Sequence, residues 1–361
     1  MYDPAQILAW LVANVKEMRH SRRKTLAAIV AAVLVMKGVG VLALGRAMAG
    51  RVAAKHCIKR VWRFLKNDGF EVEALSAALF HYMRPRSGRV IVLVDWTDVD
   101  PFQQLVLSLP RDGRSLPFFC LTIRKSESSG EQEGMMIEAE RLALESLGRM
   151  CPSDLQVILV ADRGFGNVRW LADVKKRGWH WVQRLSHIHT VNLDSHFGSL
   201  KELGIRRGWR ARDWGWGTMN EQGWGPIRLI TVFEWDAQEA WYLVTDLEWE
   251  PPAEIVRIYK RRMWIEAMFR DLKNRDWGLG MDYVRLSAPE RQTRHFMILA
   301  LGYALLCAFG AAAETLHIDR LFQANTRTDR VLSLAKIGNY FLQIASCSID
   351  VAFGALAALP T

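Results

Sequence analysis

The sequence predicts a mixed α/β protein whose N-terminal region is helical and basic. Two apolar, β-branched runs, residues 90–94 and 155–161, are typical of buried central strands. Segments with helical periodicity lie between and after these runs. The chain has 361 residues, half of them hydrophobic, which is enough to bury a large core. We therefore expect one large α/β domain with a smaller domain appended to it.

The N-terminal quarter carries the whole excess of positive charge. Residues 1–89 hold sixteen Lys and Arg against five Asp and Glu, a balance of +11, whereas the remainder holds 32 against 33. Helices are expected over residues 26–34, 56–65 and 71–83. A basic helical region of this kind, placed ahead of a near-neutral one, points to a polyanionic partner such as DNA. The alternative is a generic helical subdomain with a soluble basic surface.

The second of these helices is the clearest candidate for a DNA-binding surface. Its amphipathic pattern predicts four inward-facing residues, Ile58, Val61, Trp62 and Leu65. The same pattern leaves Lys59, Arg60 and Arg63 on the outer face. Residues 1–88 are accordingly interpreted as a helical, basic DNA-binding domain, and its helix-turn-helix signal is weak.

The region after residue 88 has the pattern of a sheet with helices. Extended runs at residues 89–96, 102–109 and 117–124 are separated by turn residues and indicate an antiparallel meander. The next elements expected are helix 131–150, strand 155–161, helix 167–177 and strand 179–185. Three antiparallel strands, a helix and then more strands is the ribonuclease-H-like order. One domain is placed at 89–345, and 346–361 forms an apolar C-terminal tail.

Residues 178–250 differ from the rest because they are rich in tryptophan and glycine. Nine of the fifteen tryptophans lie there, with β-type runs at 227–235 and 241–245. This composition predicts a β-rich insertion within the domain at 89–345. Trp235 and Trp241, with the nearby arginines 206, 207, 210 and 212, are candidates for stacking on unpaired bases. The alternative is that most of these tryptophans pack a small β subdomain.

Residues 259–273 predict one helix with a charged stripe, preceded by Pro251 and Pro252. At about 100° per residue, the residues of the stripe lie close together on one side, and they are Tyr259, Arg262, Glu266 and Lys273. A separate apolar face is formed by Ile258, Ile265, Met268, Phe269 and Leu272. A carboxylate flanked by two cations and a phenol suits a centre where metal and phosphate meet. The alternative is a solvated face with ordinary salt bridges.

Two aspartates directly follow the two apolar runs. Asp95 comes after residues 90–94 and Asp162 after residues 155–161. Carboxylates at strand ends lie where α/β sheets usually place their chemistry. Asp95, Asp162 and Glu266 are therefore expected to converge on a pair of divalent cations. Asp98 and Asp100 are rival carboxylates, but neither directly follows the run.

These motifs resemble the DDE transposases of bacterial insertion sequences, in particular the insertion-sequence-four family with its Tyr-Arg-Glu-Lys signature. Two, three and six residues separate the signature residues in that family, and Tyr259, Arg262, Glu266 and Lys273 keep all three gaps. The blocks 94–97 and 161–165 resemble the two aspartate blocks of the family. The resemblance spans residues 90–275 and implies a ribonuclease-H-like fold.

The resemblance also implies an activity, a cofactor and partners. Asp95, Asp162 and Glu266 would hold two Mg²⁺ or Mn²⁺ ions, expected about 3.5–4 Å apart, and Tyr259, Arg262 and Lys273 would contact DNA phosphates. Arg163 is expected, from its chemistry, to anchor its loop or a DNA phosphate. The expected partners are the terminal inverted repeats of the transposon and target DNA. A homodimer is expected when the protein is paired on DNA, with no small-molecule cofactor.

Three other interpretations remain open at this point. A nuclease of the same fold would cut DNA without joining it, and a domesticated DNA-binding protein would have no catalysis. The third is a membrane protein, because residues 296–313 form an eighteen-residue uncharged run. The run is rich in Ala and Gly and is closely flanked by charge, which favours a buried core helix. Five scattered cysteines without a CxxC spacing fit a reducing bacterial cytoplasm, where a nucleoid-associated protein is expected.

Overall fold

The structure is a computed structural model that describes residues 3–35, 38–275, 279–324, 326 and 329–360. The helices are α1 Pro4–Asn14, α2 His20–Val35, α3 Val41–Ala47, α4 Ala54–Lys66, α5 Val72–Met83, α6 Ser129–Met150, α7 Val168–Lys176, α8 Pro252–Lys260, α9 Met263–Lys273, α10 Pro289–Thr315, α11 Leu334–Ile344 and α12 Ile349–Ala358. The strands are β1 Gly88–Val99, β2 Phe102–Arg111, β3 Arg114–Arg124, β4 Leu155–Ala161, β5 His180–Leu185, β6 Thr190–Leu193, β7 His196–Ser199, β8 Trp209–Met219, β9 Trp224–Phe233 and β10 Trp241–Thr245. The predicted mixed α/β class is therefore confirmed.

The helix predicted over residues 259–273 is two helices. α8 ends at Lys260 and α9 begins at Met263, so Arg261 and Arg262 lie in a turn between them. Tyr259 is consequently on α8, whereas Glu266 and Lys273 are on α9. The prediction of one continuous helix was wrong, although the expected apolar side chains of both helices are buried.

The chain divides into two compact units. The first unit comprises residues 1–84, 96–139 and 266–361, and the second comprises residues 85–95 and 140–265. The N-terminal helices, the β2–β3 hairpin and the C-terminal helices belong to the first unit. The second unit contains β4 to β10 together with β1 as far as Asp95.

The core of the first unit is α10. This helix packs against α2, α11, α12 and β3, and its residues 296–313 are buried. It crosses α11 closely, because Gly338 lies against the backbone of Leu306 and Gly310 against that of Leu334. A side chain at either glycine would collide with main-chain atoms. In the described residues α10 is the one helix long and apolar enough to cross a membrane, and its apolar window is completely buried. The predicted buried core helix is confirmed.

The basic helix α4 differs from its prediction at one residue. Val61 and Leu65 are buried and Ile58 is half-buried, but Trp62 is exposed and contacts the Arg291 guanidinium 5.2 Å from its ring centroid. The indole therefore serves as a cation–π partner and lies outside the buried face. Lys59, Arg60 and Arg63 are exposed as expected.

The second unit is built on a sheet in the order β1-β4-β5-β10-β9-β8-β6-β7. β1 pairs parallel with β4, and β4 pairs parallel with β5. The remaining neighbours are antiparallel. Sequence patterning predicted the central strands and missed β6, β7 and β8. The two apolar runs that precede the aspartates therefore lie in the parallel-paired strands β1 and β4. Parallel strands are usually covered on both faces, which explains why the runs are continuously apolar.

The C-terminal residues are not structureless, since they contain α12. Ser348 caps this helix by accepting a hydrogen bond from the Val351 backbone nitrogen. Phe353 of α12 packs on Trp10 and Tyr82, with ring centroids 6.2 and 4.7 Å away. The apolar pattern of this segment thus reflects burial of one side of a helix.

A pH-dependent contribution to stability is predicted at His295 of α10. This side chain is fully buried, and its Nε2 atom donates to the Val39 carbonyl at 2.9 Å. Burial lowers the pKa of His295 to about 4, below the ordinary value near 6.5. The folded protein therefore binds fewer protons than the unfolded chain between these values, and the stabilisation is lost as the pH falls.

We expect His295 to remove roughly 2 kcal/mol from the free energy of unfolding when the pH falls from 7 to 5. Urea denaturation of the wild type and His295→Gln at both pH values measures this contribution, and the variant should show the smaller difference. His20→Gln, at an exposed histidine, is the control. Equal pH dependence in the wild type and His295→Gln would contradict the prediction.

Candidate active site

The two predicted aspartates lie side by side at the carboxyl ends of parallel strands. Val94 pairs with Ala161 in the β1–β4 register, and the next residues are Asp95 and Asp162. Both carboxylates are partly buried, with 14% and 24% of their side-chain surfaces exposed. Since the strands run in the same direction, the register brings the two acids to the same edge of the sheet.

One arginine joins these two acids. The Nη2 atom of Arg262 lies 3.1 Å from Asp95 Oδ2 and 3.2 Å from Asp162 Oδ2. The Arg262 side chain is only 8% exposed. Two nearby carboxylates repel each other, so a cation shared between them is strongly favoured. The alternative of a solvated charged face does not hold at Arg262.

Tyr259 completes the immediate surroundings of Asp162. Its hydroxyl donates to Asp162 Oδ1 at 3.0 Å, and its ring meets the Trp241 ring edge-on at a centroid distance of 5.0 Å. Burial and then the neighbouring Asp162 charge raise the pKa of Tyr259. The phenol therefore stays protonated and orients the carboxylate by a hydrogen bond.

A second group of charges lies on the other side of Asp162. Arg184 follows Gln183, which pairs with Ala161 in the β4–β5 register, and the Arg184 Nη1 atom is 4.0 Å from Asp162 Oδ1. Glu239 Oε1 lies 2.5 Å from Arg184 Nη2 and 3.6 Å from Arg163 Nη1. Gln183 also donates to the backbone carbonyl of Asp162. Arg163, which follows Asp162 in sequence, therefore shares the Glu239 carboxylate with Arg184.

The other two residues of the predicted stripe belong to the first unit. Glu266 lies in the first turn of α9 and is half-buried. Lys273 at the end of α9 donates to the Asp98 carbonyl at 2.6 Å and lies 3.8 Å from an Asp282 carboxylate oxygen. The rival Asp98 and Asp100 side chains are exposed and contact Lys125 at 3.2 and 3.8 Å.

A buried hydrogen-bond network fixes α9 within the first unit. Asp271, only 3% exposed, accepts from Arg114 Nε and from the Tyr303 hydroxyl, both at 2.9 Å. Burial and nearby Cys307 and Asp271 raise the pKa of Tyr303 well above its ordinary value, so the phenol remains a donor. Because Asp271 is on the same helix as Glu266 and Lys273, this network also fixes the rotation of the helix that carries them.

Trp235 is the most exposed tryptophan of the second unit, with 76% of its surface accessible. Its indole lies over Gly208, where a Cβ atom would come within 2.5 Å of the ring and where φ is +86°. Trp209, Trp235, Arg210 and Lys260 help to line a cleft of about 770 Å³. Trp241 is less accessible because it packs on Tyr259.

The four arginines predicted near the tryptophans make different kinds of contact. The Arg207 guanidinium lies 5.3 Å from the Phe233 ring centroid, and that of Arg212 lies 4.2 Å from the Trp214 ring centroid. Arg210 lines the Trp235 cleft. Arg206 begins the turn into β8, where its carbonyl accepts from the Trp209 backbone nitrogen at 3.2 Å. Two of the four arginines, Arg207 and Arg212, are therefore in contact with aromatic rings of the β-rich segment.

A basic groove lies between α2 and α4 in the first unit. It has a volume of about 690 Å³ and is lined by Arg22, Thr25, Lys59, Arg60 and Arg63, among others. Arg60 Nη2 donates to Thr25 Oγ1 at 3.0 Å, which ties the two helices together. The described residues that line the groove include no Asp or Glu. The predicted residues Lys59, Arg60 and Arg63 therefore share one cationic surface.

Residues 137–305 match the family model described as a transposase DDE domain. The match supports a DDE transposase and a mixed α/β fold, and it includes Asp162 and Glu266 while Asp95 lies before it. None of the curated proteins matches the chain. A transposase DDE domain implies nuclease and transesterase chemistry on DNA, with divalent metal ions in general use.

The described residues contain no cluster of three or more His, Cys, Asp or Glu side chains that could hold a metal ion. Two carboxylates, those of Asp95 and Asp162, share a cation, and that cation is Arg262. Their oxygen donors are of the kind that Mg²⁺ and Mn²⁺ prefer. The acids of the second unit therefore fit such an ion in donor chemistry, provided that Arg262 no longer lies between them.

Sequence reasoning missed Arg184 and Glu239. Strand 179–185 was predicted, and Arg184 comes near its carboxyl end, so the rule that located Asp95 and Asp162 could also have located Arg184. Glu239 lies in the loop between β9 and β10 and carries no such signal. Its place beside Arg184 follows from the pairing of β10 with β5, since Leu243 of β10 is opposite Arg184.

The Arg262 bridge should be costly to remove. Arg262→Ala removes the guanidinium that contacts both partly buried carboxylates, so the free energy of unfolding should fall by about 3–5 kcal/mol. Arg257→Ala is the matched control on α8, because Arg257 is 68% exposed and its pair with Glu254 should contribute less than about 1 kcal/mol.

Urea denaturation measures both losses. Adding Asp95→Asn to Arg262→Ala should restore part of the stability, because it removes the repulsion with Asp162. If Arg262→Ala costs no more than Arg257→Ala, or if Asp95→Asn makes the double variant weaker still, the bridge does not hold the two aspartates in place.

Proposed function

We propose that this protein is a DNA transposase that cuts at the ends of an insertion sequence and joins those ends to target DNA. The observation that carries the proposal is the pair Asp95 and Asp162 at adjacent strand ends, bridged by Arg262 from the signature motif. The match of residues 137–305 to a transposase DDE domain supports it. Membership of the insertion-sequence-four family and a ribonuclease-H-like fold are part of the same proposal.

The catalytic acids proposed are Asp95, Asp162 and Glu266. They would hold two Mg²⁺ or Mn²⁺ ions, which supply Lewis-acid activation of water or a 3′-hydroxyl and stabilise the departing oxygen. Carboxylate oxygens suit these cations, and the shared guanidinium shows that the two aspartates attract positive charge. Glu266 is proposed as the third ligand on the strength of its position in the signature.

The other residues of the site are proposed to orient the acids and the DNA. Tyr259 fixes Asp162 through its hydroxyl and remains protonated. Arg262 is a planar donor that can move from the aspartates to a phosphate, because guanidinium groups bind carboxylate and phosphate in the same way. Lys273 and Arg163 are proposed to contact phosphates, with Lys273 leaving its present contacts on Asp98 and Asp282.

Two further surfaces are proposed to bind DNA. The α2–α4 groove, with Lys59, Arg60 and Arg63, would hold the phosphate backbone of the terminal inverted repeats. The cleft beside Trp235 would accept an unpaired base, since an exposed indole flanked by cations suits stacking. Trp241 would support this region from its position on Tyr259.

The organisation of the whole protein is proposed as follows. Residues 1–88 form the DNA-binding domain, 89–345 the catalytic domain with its β-rich insertion at 178–250, and 346–361 the C-terminal segment. Two copies pair when bound to DNA ends in the cytoplasm. A nuclease of the same fold would use the same acids, and the absence of joined product in a strand-transfer assay would favour that second candidate.

The proposal is tested by Mg²⁺-dependent cleavage of a DNA fragment that carries the terminal repeats of the native element. Wild type should cut at the element boundary, and Glu266→Gln should bind the DNA but cut at least about 100-fold more slowly, because it loses a ligand charge while keeping its size. Glu248→Gln, at an exposed glutamate, should cut like the wild type. If Glu266→Gln cuts as fast as the wild type, Glu266 is not a catalytic acid.

A further inference from the structure

Three arginines and one further carboxylate lie close to Asp162 in space or in sequence. The guanidinium groups of Arg262 and Arg184 lie 3.2 and 4.0 Å from its carboxylate oxygens, and Arg163 follows it in the chain. The further carboxylate is that of Glu239, which lies within 4 Å of both Arg184 and Arg163.

Glu239 reaches this place from a loop. It lies in the seven-residue loop 234–240 between β9 and β10, and the same loop carries the exposed Trp235. Its side chain is 50% exposed, whereas that of Arg184 is only 12% exposed. A single carboxylate oxygen, Oε1, faces both arginines. The carboxylate can therefore withdraw into solvent, but Arg184 cannot.

The contact has the chemistry of a bound phosphate. A phosphodiester oxygen and a carboxylate oxygen carry similar negative charge, and arginine binds both through the same donors. An ordinary surface ion pair joins two exposed side chains and contributes little. The pair of Glu239 with Arg163 is of that kind, but Arg184 is only 12% exposed and lies beside a candidate catalytic acid, so the surface-pair interpretation does not account for the Arg184 contact.

We propose that Glu239 occupies the position of a DNA phosphate in the free protein and is displaced when DNA binds. This inference rests on the proposed function. The occupant of the Arg163–Arg184 site is then a phosphodiester group of the DNA, and Glu239 is an internal competitor that weakens binding in the absence of the correct substrate.

The test uses the full chain and a fluorescein-labelled DNA duplex of arbitrary sequence, with EDTA present so that no cleavage occurs. Glu239→Gln removes the competing charge and should lower the Kd, measured by anisotropy, about five-fold. Glu221→Gln is the matched control, because Glu221 is an exposed glutamate in the turn between β8 and β9. It should change the Kd by less than about two-fold.

A double-variant comparison identifies the partner of Glu239. The gain in DNA affinity from Glu239→Gln should be smaller in an Arg184→Gln background. It should also be smaller in an Arg163→Gln background, at a more exposed position. An equal gain from Glu221→Gln, or a full gain in both arginine backgrounds, would show a general charge effect and overturn the proposal. If Glu239→Gln binds DNA with the same Kd as the wild type, the Glu239 proposal is overturned and the proposed function is not affected. If neither the wild type nor any variant binds DNA, the proposed function falls as well.

Discussion

The shared contact of Arg262 with Asp95 and Asp162 is the interaction on which the arrangement of the second unit depends. Parallel pairing of β1 with β4 leaves the two acids adjacent at the edge of the sheet. Two carboxylates this close and this buried are unfavourable without a cation. Arg262 supplies that cation from the turn after α8, so strand register and helix position are coupled through one guanidinium.

Several other features make sense in relation to this contact. The break between α8 and α9 places Arg262 in a turn, from which its side chain reaches both acids while Tyr259, one turn earlier, donates to Asp162. The neutral Tyr259 phenol and the charged Arg262 guanidinium then contact different oxygens of the Asp162 carboxylate. In the first unit, Asp271 fixes α9 to the core through Arg114 and Tyr303. Hydrogen bonds and ion pairs thus hold Tyr259, Arg262 and α9 in place, each within its own unit.

Much of this arrangement could be predicted from the sequence, and the failures have physical reasons. The runs before Asp95 and Asp162 are long and β-branched, so their strand character and the place of the acids were clear from local pattern alone. β8 was missed because its Trp and Gly residues break alternation, and its pairing with β9 is irregular. The turn at Arg261 and Arg262 was missed because both residues are good helix formers.

The missed charges depend on tertiary structure to different degrees. Arg184 is set by strand register, which a rule about strand ends can anticipate. Glu239 depends on where a loop between two antiparallel strands returns, and no local pattern fixes that. The group of arginines and acids around Asp162 therefore becomes visible only when three separate segments, 162–163, 184 and 239, are brought together. Charge balance in a folded site is a property of the fold as well as of composition.

The central proposal is that Asp95, Asp162 and Glu266 hold divalent metal ions, and iron-mediated cleavage of the protein backbone tests it most directly. Fe²⁺ with ascorbate and peroxide generates hydroxyl radicals at the bound ion, and mass spectrometry locates the breaks. We predict breaks near residues 95, 162 and 266 in the wild type, suppressed by excess Mg²⁺ and by Asp162→Asn. Breaks elsewhere, or none that Mg²⁺ suppresses, would contradict the claim.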